Sequence, residues 1–343
     1  MRGKNNIEWA AISRYRDELM GLAILFVVLF HIGLPRTDMF FGLKRMGNIG
    51  VDIFFFLSGM GLWFSWMKSC PSTLDSRPST LDFYKRRFIR IYPTWLVVAG
   101  SFYIWKYLTG GKFSSGIIDL IGDITINWDF WLHDELTFWY IPATLMLYLW
   151  APFYMELIRR HPEYRWLPVA MVMWCVAVQW VTPIHLAVGH IEIFWSRVPI
   201  FFIGINMGEA IRQKQTMNKS AIGLVILLFI MSLAMCIWLE QMRHGKFPLF
   251  VERMLYIPLT VTALLLMSRM LDKAPQRLLR VLSFVGGLSL EIYLIHSQFI
   301  LPYIAKMHLG YWLTFLLVIL IAIPVSWLLQ KIIGRLTKII FKP

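Results

Sequence analysis

Apolar runs long enough to cross a bilayer recur from residue 19 to residue 330, separated by short polar stretches. In hydrocarbon such a run must satisfy every backbone N–H and C=O within itself, so it folds as a helix. A span needs about 20 residues. Ten segments fit: 19–35, 48–67, 89–108, 137–157, 166–183, 194–211, 220–239, 254–271, 284–304 and 311–330. Composition agrees: 58% of the residues are hydrophobic and 16% charged, where a soluble domain carries about 25% charged residues. The expected fold class is an all-α polytopic membrane protein, about ten transmembrane helices in one bundle. Residues 1–343 read as a single transmembrane domain, with too little chain left over for a fused soluble one.

The net charge is +14. If the N-terminus is placed inside, most of the 34 Lys and Arg residues fall on the inner side, among them Arg86, Arg159, Arg160, Arg269 and Lys331. That asymmetry predicts both termini in the cytoplasm and an even number of spans. It also accounts for the charge without nucleic acid. The cysteines, Cys70, Cys175 and Cys236, suggest no disulfide framework. The N-terminus is polar through Asp17, so no cleavable signal peptide is expected. Residues 68–88, with Pro71 and Pro78, read as a flexible inner connector. Residues 108–136 mix Ile, Leu and Trp with Asp and read as a surface-lying or re-entrant segment, or as an ordinary exposed outer loop.

The residue that carries most chemistry is His31, near the far end of LMGLAILFVVLFHI. An ionisable group in hydrocarbon is expensive and marks a functional site. Asp52 lies near the outer end of the second span, in GNIGVDIFFFLSG, with Ser58 further along the same run. Two antiparallel helices joined by a short outer loop put His31 and Asp52 at similar depth. A carboxylate beside an imidazole fixes its tautomer and suits it to act as a general base; a structural His–Asp pair is the alternative. On the inner side, FYKRRFIRIYP brings Arg86, Arg87 and Arg90 together. They either anchor the helix to lipid headgroups or bind phosphate bidentately, and Arg14 and Arg16 can join them. In SLEIYLIH, the polar residues Glu291, Tyr293 and His296 face a cavity, each other or a structural hydrogen bond. Arg197 either anchors its span or meets substrate, as do Trp139 and Tyr140 in FWYIPA, where an aromatic belt is expected anyway. His133, His185 and His190 show no metal-ligand spacing, so no metal is expected.

Taken in order, RDELMGLAILFVVLFH, GNIGVDIFFFLSG, FYKRRFIRIYP, FWYIPATLMLY, RVPIFFIG and SLEIYLIH resemble segments of the acyltransferase 3 family of integral-membrane acyltransferases. The resemblance implies an acyl-coenzyme A donor, most often acetyl-CoA. It implies as acceptor a hydroxyl on a surface polysaccharide or lipid-linked sugar, and the bacterial cytoplasmic (inner) membrane as location. By that resemblance His31 matches the essential histidine, and Arg87 and Arg90 match the paired arginines that meet the donor. Two departures are visible: Met20 stands before Gly21 where many members read LRG, and FWYIPA replaces a Glu-containing motif. The expected function is therefore a membrane O-acetyltransferase with His31 as general base. The candidate substrate contacts are Ser58, Trp139, Tyr140, Arg197, Glu291, Tyr293 and His296. Two alternatives come from other classes. One is a proton-coupled secondary transporter or exporter of a glycan or metabolite, using His31, Asp52, Glu291 and His296 as a proton relay. The other is a scaffold subunit of an envelope assembly.

Overall fold

The computed structural model describes residues 7–70, 79–110 and 116–340. The longer helices are α1 (Arg16–His31), α2 (Ile49–Ser69), α3 (Thr80–Leu108), α4 (Ile117–Ile126), α5 (Tyr140–Arg160), α6 (Leu167–Trp180), α7 (Val198–Arg212), α8 (Lys219–Met242), α9 (Leu249–Leu271), α10 (Gln276–Gly287), α11 (Ser289–Ile295) and α12 (Tyr311–Ile340). The one β element is a short antiparallel pairing of Ile7 with Met217 and Glu8 with Thr216, among the described residues. It ties the start of the chain to the loop after α7.

Each of the ten apolar segments is largely helical, but fewer helices are long and apolar enough to cross a membrane. Among the described residues five qualify: Phe41–Ser69, Tyr140–Arg160, Ser220–Met242, Leu249–Leu271 and Tyr311–Ile340. Two bent pairs, Pro162–Trp180 with Thr182–Trp195 and Gln276–Gly287 with Ser289–Ala305, raise the number to seven if each counts as one span. Helices α1 and α7 have 16 and 15 residues and are short for a span. Helix α3 has 29 residues, but its first half carries Lys85, Arg86, Arg87 and Arg90. It starts at Thr80 rather than near 89. Ser79 caps it, its side chain accepting from the Asp82 N–H at 3.2 Å, which satisfies one of the free donors of the first turn. The expected connector is therefore helical from Thr80 on, while Pro71 and Pro78 lie outside the described residues. Of the expected outer segment 108–136, residues 111–115 also lie outside them. The rest folds into α4 and the helix Trp128–His133, broken at Asn127, whose φ is 54°.

The ninth segment departs furthest from expectation. It is broken by 59° between α10 and α11, at the sequence Gly286-Gly287-Leu288-Ser289. It then widens into a π turn over His296–Ile300 before Leu301–Ala305. Pro302, next to that turn, has no N–H to return to the carbonyl one turn earlier, so the ladder is interrupted there.

Helix packing centres on α2, which lies against α7 over its greatest extent, and on α1, which lies against α10. Glycines permit both approaches. A Cβ at Gly59 would meet the Phe201 carbonyl and one at Gly204 the Phe56 carbonyl; Gly21 and Gly286 stand in the same relation across α1 and α10. Small residues let membrane helices pack backbone to backbone. The outward faces of α8 and α12 present Leu224, Leu227, Met231, Leu316 and Leu320, as lipid-facing surfaces do.

Candidate active site

A cavity of about 930 Å³ opens between α1, α2, α3, α5, α10, α11 and α12. At one end it is lined by Arg16 from the start of α1, Arg87 and Arg90 from α3, and Lys338 from the end of α12. The first and last long helices thus begin and end at the same end of the bundle. Arg87 and Arg90 are three residues apart and share a helix face. Arg86 points elsewhere on that helix: it is exposed and does not line the cavity. The Nε atoms of Arg16 and Arg87 are buried without a hydrogen-bond partner. A buried donor left unmade costs free energy. Arg16, Arg87, Arg90 and Lys338 make this end of the cavity basic, and guanidinium groups match phosphate oxygens, so it suits a phosphate-bearing ligand.

Deeper in, the walls are Ser58 of α2, Tyr140, Thr144 and Tyr148 of α5, and Glu291 and Tyr293 of α11. Tyr140, Thr144 and Tyr148 repeat every four residues along one face of α5. Of these only Tyr140 stands out in the sequence, although the spacing is there to be read. Glu291 is buried and accepts from the Gln330 amide at 3.4 Å. The Tyr293 hydroxyl accepts from the Tyr140 backbone N–H at 3.2 Å, and the two rings lie 5.2 Å apart. This tyrosine pair closes the deep end of the cavity.

His31 lies beyond the pair. It ends α1, where Ile32 turns extended, and is exposed. The rise from Arg16 to His31 is about 22 Å. His296 stands one turn after Tyr293, ring centroids 6.1 Å apart. Its Nε2 is 3.2 Å from His31 Nδ1. A chain of ring contacts thus connects the cavity to His31.

Several expected site residues lie elsewhere. Asp52 does not pair with His31. The face of α2 that carries it packs on α7, so it meets Arg197 at the start of that helix, Nε to Oδ1 3.2 Å, with both side chains fully buried. Arg197 is thus neither a headgroup anchor nor a cavity residue; its Nη1 donates to Ser196 Oγ at 3.1 Å. Arg14 belongs to a separate short helix, Ala10–Arg14, and forms exposed ion pairs with Glu8 at 3.1 Å and Asp272 at 3.2 Å. Trp139 is buried against Phe55 and Phe130, away from the cavity. His296 is wholly buried and does not line it either. A second buried cluster escaped the sequence reading. Arg45 donates to Glu240 at 2.8 Å, and Glu240 is also bonded to His244 at 2.5 Å. Glu240 and His244 are only four residues apart, but Arg45 comes from a distant helix, so no local pattern brings it to them.

The acyltransferase 3 family, described as an acyltransferase domain, matches residues 18–331. A relative from Caenorhabditis elegans, "Regulator of hypoxia-inducible factor 1", is 27% identical over 179 residues, covering 41% of this chain and 34% of the worm protein. The chain therefore spans about a third of that relative's length. No solved structure matches. The long helices are apolar enough to cross a membrane, and since the match runs through nearly the whole chain, the protein belongs to the acyltransferase 3 family.

Proposed function

We propose that the protein moves an acetyl group from cytoplasmic acetyl-CoA to a hydroxyl of a surface polysaccharide or lipid-linked sugar, in a bacterial inner membrane, with His31 as general base. The observation that carries this reading is the cavity itself: arginines with unpartnered donors at one end, and at the other a tyrosine pair leading to the histidines. Arg16, Arg87 and Arg90 would hold the donor's phosphates. The pantetheine arm would lie along Ser58, Tyr140, Thr144 and Tyr293, and the thioester would pass the tyrosine pair to reach His31.

In that step His31 Nε2 takes the proton of the acceptor hydroxyl as its oxygen attacks the thioester carbonyl. The C–S bond breaks, the sulfur leaves as thiolate, and the imidazolium returns the proton to it. The products are the sugar ester and free coenzyme A.

Purified protein in nanodiscs, supplied with labelled acetyl-CoA and glycan acceptors, tests the reading. We expect His31→Ala to lose transfer by at least about 100-fold, the usual reach of general-base catalysis, while melting like the wild type. An Arg87→Ala/Arg90→Ala variant should instead bind donor more weakly. Normal turnover by a well-folded His31→Ala protein rules the mechanism out.

A further inference from the structure

We infer that His296 is the positioning residue that holds His31 in its reactive tautomer. The inference rests on the reading of His31 as general base. It starts from hydrogen bonds around two rings set edge to face, 4.9 Å apart.

His296 Nδ1 lies 2.8 Å from the Ile292 carbonyl and 2.9 Å from the Tyr293 carbonyl. Carbonyl oxygens only accept, so Nδ1 carries the ring hydrogen and Nε2 carries the lone pair. That Nε2 faces His31 Nδ1 at 3.2 Å. The Val27 carbonyl also faces His31 Nδ1, at 2.8 Å. Two acceptors therefore converge on one nitrogen of His31. A lone pair there would confront two others, so the hydrogen sits on Nδ1. Neutral His31 is left with its lone pair on Nε2, the remaining nitrogen of an exposed ring. A histidine free in water favours the opposite arrangement, with the hydrogen on Nε2 and no base to offer there. The tautomer is imposed by the partner of the other nitrogen, as it is for histidines in metal sites and hydrolases.

The fold fixes His296 for this role. It is wholly buried, and it opens the π turn His296–Ile300; such turns recur at functional sites. The Val27 carbonyl alone would leave the His31 ring free to tilt about one hydrogen bond. The second acceptor, from a different helix, fixes its plane. When His31 takes the acceptor's proton, its Nδ1–H keeps both partners and the imidazolium is stabilised. His296 lines no part of the cavity, so it acts through His31 and touches no substrate.

The test combines tautomer and kinetics. Protein labelled with [15N]histidine is placed in nanodiscs, and the His31 signals are identified by their loss in His31→Gln. In the wild type we expect neutral His31 to carry its hydrogen on Nδ1. In His296→Leu a fraction shifts to Nε2, kcat falls by about 10- to 100-fold and KM for the acyl donor is unchanged. His296→Gln, whose amide oxygen can take the place of Nε2 as acceptor, recovers most of kcat. Three outcomes each overturn the proposal: hydrogen on Nε2 in the wild type, an unchanged tautomer in His296→Leu, or no recovery in His296→Gln. The first is read on the wild-type protein and needs no His296 variant to fold. Failure of the underlying reading looks different: His31→Ala would keep transferring acetyl whatever the His31 tautomer.

Discussion

Asp52 and Arg197 show what a buried charge pair demands of its neighbours. Neither side chain touches solvent, and the Arg197 guanidinium also lies over the Tyr256 ring, 5.5 Å from its centre. Removing one member of such a pair leaves the other uncompensated, at a cost of about 3–5 kcal/mol, whereas replacing both with apolar groups is often neutral. We expect Asp52→Ala to lower the melting temperature in detergent sharply, and Asp52→Leu/Arg197→Met to restore most of it. A melting curve for Asp52→Ala that overlays the wild type would show that the pair does not stabilise the fold. The same pair marks the limit of reading residues singly. His31 stands out because charge in an apolar run is costly wherever the helix goes, and Arg87 and Arg90 because a three-residue spacing puts both on one helix face. Asp52 was equally visible, but its partner depends on which face of α2 meets which helix. An outer loop joining α1 to α2 matches depth and leaves rotation about the axis undetermined.

That rotation is set between helices, where glycines decide how closely two backbones meet. The Gly204 position on α7 abuts the Phe56 carbonyl, and backbone cannot move aside as a flexible side chain can. Gly204→Leu should cost about 1–3 kcal/mol through overpacking and part α7 from α2, lowering both melting temperature and transfer. Gly223 on α8 makes the internal control, since a Cβ there meets nothing within 4 Å. Gly223→Ala should leave transfer intact and raise helix stability by up to about 1 kcal/mol. If the two variants melt alike, the close approach of α7 to α2 contributes little. Hydropathy located these helices, because a run of Leu, Ile and Phe declares itself. It located their ends poorly: α3 runs back to Thr80 through a basic stretch that no apolarity scan would include. The break at Gly286–Ser289 and the π turn at His296 were also hidden, since both lie inside the single segment 284–304 that reads as one span.

At the scale of the molecule, the two ends of α1 carry different chemistry. Arg16 sits in the basic cavity with Arg87 and Lys338, and His31 sits about 22 Å away along the helix axis. An arrangement of that length lets a charged nucleotide stay on one face while its acyl group reaches a hydroxyl presented from the other. The Lys and Arg asymmetry predicts that the basic end faces the cytoplasm; the cavity at that end could not be read from sequence, because seven helices build it. With Cys70, Cys175 and Cys236 replaced, a cysteine at Lys338, exposed beside the cavity mouth, and one at Thr37, exposed in the loop after His31, should react with a membrane-impermeant maleimide from opposite faces of sealed vesicles. The Lys338 position should react from the face that supports acetyl-CoA consumption. Labelling of both from one face would mean that donor and acceptor enter together, and the chain would then have no reason to stretch its site along the whole of α1.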